Sequence, residues 1–184
     1  MAIIVVGGGG RGVGKTALVC GLIAALPEFA WTAIKITSHP HLGPEPVWEE
    51  TSAGQRCDTT RYLAAGAARA FLVAATEDDL SQTFTALRAA CPPGANLILE
   101  SNRILGFLKP DLCLMVEGQP DPGGPKPSFA PALRHADAVV RRGLSAQPAG
   151  PRNGAGELNS VFELADLGQI SAELAAWVRS ALRP

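Results

Sequence analysis

A segment of eight residues near the start of the chain constrains the fold more than any other feature. Residues 9–16 read Gly-Gly-Arg-Gly-Val-Gly-Lys-Thr, a complete G-x-x-x-x-G-K-[ST] pattern. An apolar run at residues 2–6 precedes it, and apolar residues spaced as on one helix face follow it until Pro27. Strand, glycine-rich turn and helix in this order is the context in which the pattern forms a phosphate-binding loop, or P-loop. The sequence therefore predicts these three elements, with an anion site between the strand and the helix.

Each residue type in this loop has a physical role in binding phosphate. Glycines allow positive φ angles and the close approach of backbone N–H groups, and the following helix adds the positive end of its dipole. Lys15 is predicted to reach the β- and γ-phosphates as a catalytic residue, and the Thr16 hydroxyl to ligate Mg²⁺. The predicted nucleotide-binding residues are Gly9, Gly10, Arg11, Gly12, Val13, Gly14, Lys15, Thr16 and Ala17.

Composition and charge exclude several classes of protein. With 47% hydrophobic and 18% charged residues, the chain reads as a globular protein, and we expect one nucleotide-binding domain over residues 1–184. The net charge of −1 argues against a nucleic-acid or membrane-surface role that depends on a strong basic field. No apolar stretch is long enough to span a membrane, and the four cysteines form no C-x-x-C pair. We expect a cytoplasmic protein.

Strand and helix patterns alternate along the rest of the chain. This order predicts an α/β fold of the P-loop NTPase class, with a mostly parallel sheet and helices on both faces. After the first strand and helix, the predicted strands are 31–36, 69–74, 96–99, 112–116 and 138–140, and the predicted helices are 59–67, 77–90 and 171–182.

Ligands of such sheets lie at the carboxyl ends of the strands, so the residues after each strand are site candidates. The strand at 96–99 is followed by Glu100, where P-loop proteins place a carboxylate near the Mg²⁺ or the attacking water. We predict that Glu100 is a catalytic and metal-binding residue. After the second strand come His39 and His41, then residues 42–55, which show no periodicity and predict a long functional loop or a surface excursion.

The order of motifs resembles the adaptor protein of molybdopterin-guanine dinucleotide biosynthesis, the MobB type. The resemblance covers about residues 2–116 and includes the P-loop, a strand with Ala33-Ile34-Lys35, and Asp58-Thr59-Thr60-Arg61 leading into Ala64-Ala65-Gly66-Ala67. This chain has Ile36 where members carry His, and Ser101 where they carry Gly.

The resemblance implies further roles and partners. Asp58 would be a catalytic and Mg²⁺-binding residue, and Lys35 and Arg61 would bind acidic groups of the ligand. Members bind GTP, usually as homodimers, and hydrolyse it slowly while they assist the enzyme that attaches the nucleotide to molybdopterin. The residues themselves do not select guanine, because no N-K-x-D pattern follows a strand. The nucleotide is therefore predicted to be GTP or ATP.

Two other functions remain open. A metal-centre assembly NTPase would use His39, His41 and Cys57 to handle a metal, although two histidines and a cysteine are a weak metal signal. A small-molecule kinase would normally show an arginine-rich lid that closes over the phosphates, and no such segment stands out.

Overall fold

The computed structural model describes residues 1–38, 45–118, 124–142, 160–164 and 169–182. Within these ranges, eight strands form a single sheet in the order β3-β4-β2-β5-β1-β6-β7-β8. The strands are β1 (Ile3–Gly8), β2 (Thr32–Thr37), β3 (Val47–Glu50), β4 (Arg69–Ala74), β5 (Leu97–Glu100), β6 (Leu112–Glu117), β7 (Ala138–Arg142) and β8 (Ser160–Leu164).

All neighbouring strands are parallel except β3, which pairs antiparallel with β4 at one edge of the sheet. Five helices connect or follow the strands in the described ranges. They are α1 (Lys15–Ala25), α2 (Asp58–Ala64), α3 (Leu80–Ala90), α4 (Phe129–Leu133) and α5 (Ala172–Leu182).

The sheet is buried on both faces, which explains the unbroken apolar runs in its central strands. In β1, Ile4 and Val6 face a core shared with α1, α2 and α5, whereas Ile3 and Val5 face a second core shared with α3 and α4. A side chain on either face of β1 is therefore removed from water. The predicted architecture, a P-loop NTPase fold with a mostly parallel sheet and helices on both faces, is confirmed.

Two strands were not predicted from the sequence. β3 lies within the stretch that showed no periodicity, because its four residues, Val-Trp-Glu-Glu, are not alternately apolar and polar. An antiparallel neighbour holds this edge strand, helped by an ion pair between Arg69 and Glu49 with 2.7 Å between Nε and Oε1. β8 completes the other edge by pairing with β7.

The predicted elements are otherwise found with shifted ends. α2 begins at Asp58 and ends at Ala64, because the N–H groups of Gly66 and Ala67 close its last turn onto the carbonyls of Leu63 and Tyr62. α3 begins at Leu80 rather than at residue 77, after a turn in which Thr76 accepts a hydrogen bond from the N–H of Asp79.

Candidate functional site

The P-loop joins the carboxyl end of β1 to the start of α1. Gly14 is the N-cap residue of α1 and has a φ angle of 110°, a backbone conformation that residues with a Cβ atom rarely adopt. No side chain caps this helix, and no acidic residue lies in its first turn. The first N–H groups of α1 and its positive dipole end are therefore presented to the loop, where an anion can bind.

Lys15 lies at the first position of α1 and folds back over the loop, where its Nζ donates a hydrogen bond to the carbonyl of Gly10. Burial lowers the pKa of Lys15 below its ordinary value, and the ammonium groups of Lys35 and Lys126 lower it further, against the opposing effect of Glu100. The charge on Lys15 is thus only partly compensated by the protein. A bound phosphate would supply the missing negative charge.

Glu100 ends β5 and is only 2% exposed, yet three side chains donate hydrogen bonds to its carboxylate. The Thr16 hydroxyl and the Tyr62 hydroxyl bind Oε2 at 2.8 and 2.5 Å, and the Lys35 ammonium binds Oε1. The structure therefore brings together Thr16, Lys35 and Glu100. These three donors fix the position of the buried carboxylate.

Lys35 also binds Asp58, with 2.9 Å between Nζ and Oδ2, so its ammonium bridges two carboxylates. Burial alone would lower the pKa of Lys35, but Glu100 and Asp58 raise it above its ordinary value. For Asp58, burial raises the pKa, but Lys35, together with Thr16 and Arg61, more than offsets this and holds it below the ordinary value. Arg61 lies farther from Asp58, at 3.9 Å, on the next turn of α2.

The oxygen atoms at this site fit Mg²⁺. Because the Thr16 hydroxyl donates its hydrogen bond to Glu100, the lone pairs of its oxygen remain available to a cation. Asp58 and Glu100 add carboxylate oxygens, the hard donors that Mg²⁺ prefers. Thr16, Asp58 and Glu100 are the residues that would hold the ion directly or through its water molecules.

The remaining loop residues differ in what they present to a ligand. Ala17 is half-buried and Arg11 exposed, and both line the cleft. Val13 packs into the core that contains α1, so only its backbone can face the site. The N–H of Gly9 binds the carbonyl of Val116 at 3.3 Å, and its carbonyl accepts the N–H of Lys126 at 2.8 Å. Both groups of Gly9 are thus engaged in holding the loop to its neighbours.

Of the three groups proposed for metal handling, Cys57 alone lies among the described residues. His39 and His41 lie outside the described residues. Cys57 is exposed at the N-cap position of α2, where its Sγ lies 3.2 Å from the Thr59 hydroxyl. Partial burial raises the pKa of Cys57, but hydrogen bonds involving Thr59 and Thr60 bring it below its ordinary value. Across the described ranges, no group of three or more His, Cys, Asp and Glu residues is arranged to hold a metal ion.

Three residues at or beside the site were not predicted from the sequence, namely Tyr62, Asn102 and Lys126. Tyr62 is the only tyrosine of the chain and lies four residues after Asp58, so both occupy one face of α2, a spacing that could have indicated it. Asn102 accepts the N–H of Gly8 at 2.8 Å with Oδ1, and its Nδ2 donates to the Gly8 carbonyl at 3.1 Å and the Ser128 hydroxyl at 3.2 Å. Lys126 lies against the P-loop, and no local sequence signal marks it.

Asn102 and Lys126, with Lys15, Thr16 and Glu100, line a cleft of about 1700 Å³. It extends from the P-loop across the carboxyl ends of β2 and β4 to Trp48 on β3, a side chain that is 59% exposed. Separately, no helix among the described residues is long and apolar enough to cross a membrane.

No protein-family model matches the chain, and no curated protein matches it. Among solved structures it is similar to LpxK from Aquifex aeolicus, an "apo" form crystallised in complex with ATP, with a TM-score of 0.57 and 18% sequence identity. The match covers 89% of this chain and 53% of the LpxK chain, so this chain spans about half the length of its structural neighbour.

An identity this low shows the fold alone. The strand order, the P-loop and this likeness together define a protein of the P-loop NTPase fold. The comparisons do not single out the MobB-type adaptors.

Proposed function

We propose that this chain binds a Mg²⁺–nucleoside triphosphate, GTP or ATP, at the P-loop and hydrolyses it slowly. The observation that carries this proposal is the link between Thr16, at the start of α1, and the buried carboxylate of Glu100, at the end of β5. In this arrangement the loop, the metal-binding hydroxyl and a carboxylate converge on one point. That constellation suits a polyphosphate with its cation better than a single anion.

Each residue of the site has a proposed role. The backbone N–H groups of residues 10–14 bind the β-phosphate. Lys15 gives up its hydrogen bond to the Gly10 carbonyl and binds the β- and γ-phosphates instead. Thr16, Asp58 and Glu100 would hold Mg²⁺, which would offset the negative charge that develops during transfer. Lys35 and Arg61 bind acidic groups of the ligand beyond the γ-phosphate.

The proposed slow rate has a physical basis at Glu100. A general base must accept a proton, but this carboxylate already accepts hydrogen bonds from Thr16, Lys35 and Tyr62. Asp58 interacts with Lys35 and Thr16 but is partly exposed, whereas Glu100 is buried, so Asp58 is the better-placed carboxylate to orient the attacking water.

Calorimetry with Mg²⁺–ATP and Mg²⁺–GTP, followed by phosphate-release assays, tests the proposal. The wild-type protein should bind one or both nucleotides and lose most of its affinity in EDTA. Lys15→Met should reduce binding by about 100-fold or more. Lys109→Ala is the matched control, because Lys109 is an exposed lysine at the opposite end of the strands. Equal affinity in Lys15→Met and Lys109→Ala would refute the assignment.

The resemblance to the MobB type supports a finer proposal, that the NTPase serves as a homodimeric adaptor for an enzyme of molybdenum-cofactor maturation. The arrangement of Lys35, Asp58 and Arg61 beside the P-loop is consistent with it, since these are the positions that the resemblance implied. Sedimentation and molybdopterin-binding measurements, with and without nucleotide, test it. A monomer without affinity for molybdopterin would leave the NTPase proposal intact and exclude the adaptor role.

The size of the cleft favours a second candidate, phosphoryl transfer to a small molecule. Ligand pockets are commonly about 300–1,000 Å³, and this cleft, at about 1700 Å³, has room for a second ligand beside the nucleotide. Trp48 would form one wall of that second subsite. Product analysis after incubation with candidate alcohols and amines separates this activity from hydrolysis, because only transfer gives a phosphorylated acceptor.

A further inference from the structure

The turn that follows β6 lies directly against the P-loop. The N–H of Lys126 donates to the carbonyl of Gly9 at 2.8 Å, and the N–H of Phe129 closes the turn onto the carbonyl of Lys126 at 2.8 Å. The Phe129 ring covers Gly9 so closely that a Cβ atom added there would lie 3.7 Å from it. The backbone of Lys126 is therefore held at the P-loop.

A side-chain clamp holds the same turn from the other direction. Asn102 binds both backbone groups of Gly8 and also donates to the Ser128 hydroxyl at 3.2 Å. The last residue of β1, the segment after β5 and the turn after β6 are thus joined through one amide. A side chain carried by this turn keeps its place relative to the phosphate-binding loop.

The Lys126 side chain is exposed at the mouth of the cleft. Its ammonium makes no ion pair with any of the described residues. It nevertheless lies near enough to Lys15 to act on that lysine electrostatically. Two like charges held at one loop repel each other unless an anion lies between them.

The strand order decides which side of the ligand Lys126 faces. β1 lies between β5 and β6, so Glu100 and Lys126 flank the P-loop from opposite sides. Glu100, Lys35 and Asp58 occupy the side where the metal and the γ-phosphate are proposed. The opposite side is left for the phosphates that adjoin the nucleoside.

We propose that Lys126 is a further phosphate-binding residue, which contacts phosphate oxygens that nucleoside di- and triphosphates share. This inference rests on the proposed nucleotide binding at the P-loop. Lys126 and Lys15 then bind the polyphosphate from two sides, as point charges on separate elements.

The test compares Lys126→Ala, Lys126→Arg and the control Lys109→Ala by calorimetry with ATP, ADP and inorganic tripolyphosphate. Lys126→Ala should weaken all three probes by a similar factor, about 10-fold. Lys126→Arg should retain most of the affinity, and the control should match the wild type. The salt dependence of log Kd should be shallower in Lys126→Ala, because one ionic contact is lost.

Three outcomes would overturn the inference. Wild-type affinity of Lys126→Ala for all probes would exclude a contact. A loss for ATP and ADP but not for tripolyphosphate would place Lys126 on the base or ribose. A loss for ATP alone would place it at the γ-phosphate. Melting temperatures of the variants verify that each is folded. If the wild-type protein binds none of the probes, the proposed function itself fails, which is a different result.

Discussion

At the scale of single residues, Glu100 organises the site. Its position at the carboxyl end of an apolar strand could be predicted from the sequence, and its catalytic and metal-binding roles remain predictions. Its partners could not be predicted in the same way. Tyr62 and Thr16 lie 38 and 84 positions away in the sequence and meet Glu100 only through the packing of α1 and α2 on the sheet.

Lys15→Met should stabilise the protein without ligand, although it weakens nucleotide binding. Burial of the ammonium holds the pKa of Lys15 below its ordinary value in the folded state. At a pH below that ordinary value, the charged Lys15 side chain therefore opposes folding. Methionine fills similar space without a charge. Urea titration at pH 7 should give a higher free energy of unfolding for the variant than for the wild type without ligand. A lower value would mean that the bond to the Gly10 carbonyl outweighs the cost of burying the charge.

Tyr62→Phe and Glu100→Gln should separate structural support from catalysis. Tyr62→Phe removes one hydrogen bond to a buried carboxylate, which costs about 2 kcal/mol of stability, and should change nucleotide affinity little. Glu100→Gln places an amide N–H₂ among three donors and should cost about 3–5 kcal/mol. In protein that remains folded, it should reduce phosphate release far more than affinity. Phosphate-release rates equal to wild type in Glu100→Gln would place Glu100 outside the catalytic group and leave Asp58 as the candidate.

At the scale of elements, the strand–loop–helix unit was predictable because one continuous motif encodes it. The edge strands were not. β3 and β8 depend on hydrogen bonds to β4 and β7, and the local sequence of an edge strand does not indicate which strand it pairs with. A Pro/Gly-rich part of the sequence, residues 145–156, lies outside the described residues.

Gly7→Ala should damage the P-loop through packing. A Cβ atom at Gly7 would lie 2.4 Å from the Met115 Sδ and 2.6 Å from the Asn102 Oδ1, and real Cβ contacts are not that short. The buried Met115 side chain must therefore move, and the Asn102 amide must move as well, which would release Gly8. We expect a stability loss of about 1–3 kcal/mol and weaker nucleotide binding. Gly106→Ala is the matched control, since a Cβ atom there meets nothing within 4 Å. Similar melting temperatures and affinities in the two variants would contradict this account of the loop.

At the scale of the whole molecule, the sheet brings residues that are distant in the sequence together in one charged cluster. The sequence supplied Lys35, Asp58 and Arg61 only through a family resemblance, because nothing local shows that the ends of β2 and α2 meet the end of β5. Their ion pairs depend on the tertiary structure. Unfolding must therefore separate them together, and the pH dependence of stability reports on the cluster.

Asp58→Asn and Lys35→Met should change stability at opposite ends of the pH range. The pKa of Asp58 is lowered in the folded state, so its contribution is present above its unfolded value of 3.8 and is lost as the pH falls through the lower, folded value. The pKa of Lys35 is raised, so its contribution is present below its unfolded value of 10.5 and is lost as the pH rises through the folded value. Urea titrations across the pH range measure the free energy of unfolding of both variants and the wild type. The difference for Asp58→Asn should be constant near neutral pH and shrink under acid conditions, whereas that for Lys35→Met should in addition shrink under strongly alkaline ones. A difference for Asp58→Asn that grows as the pH falls would show that Lys35 does not stabilise its charge.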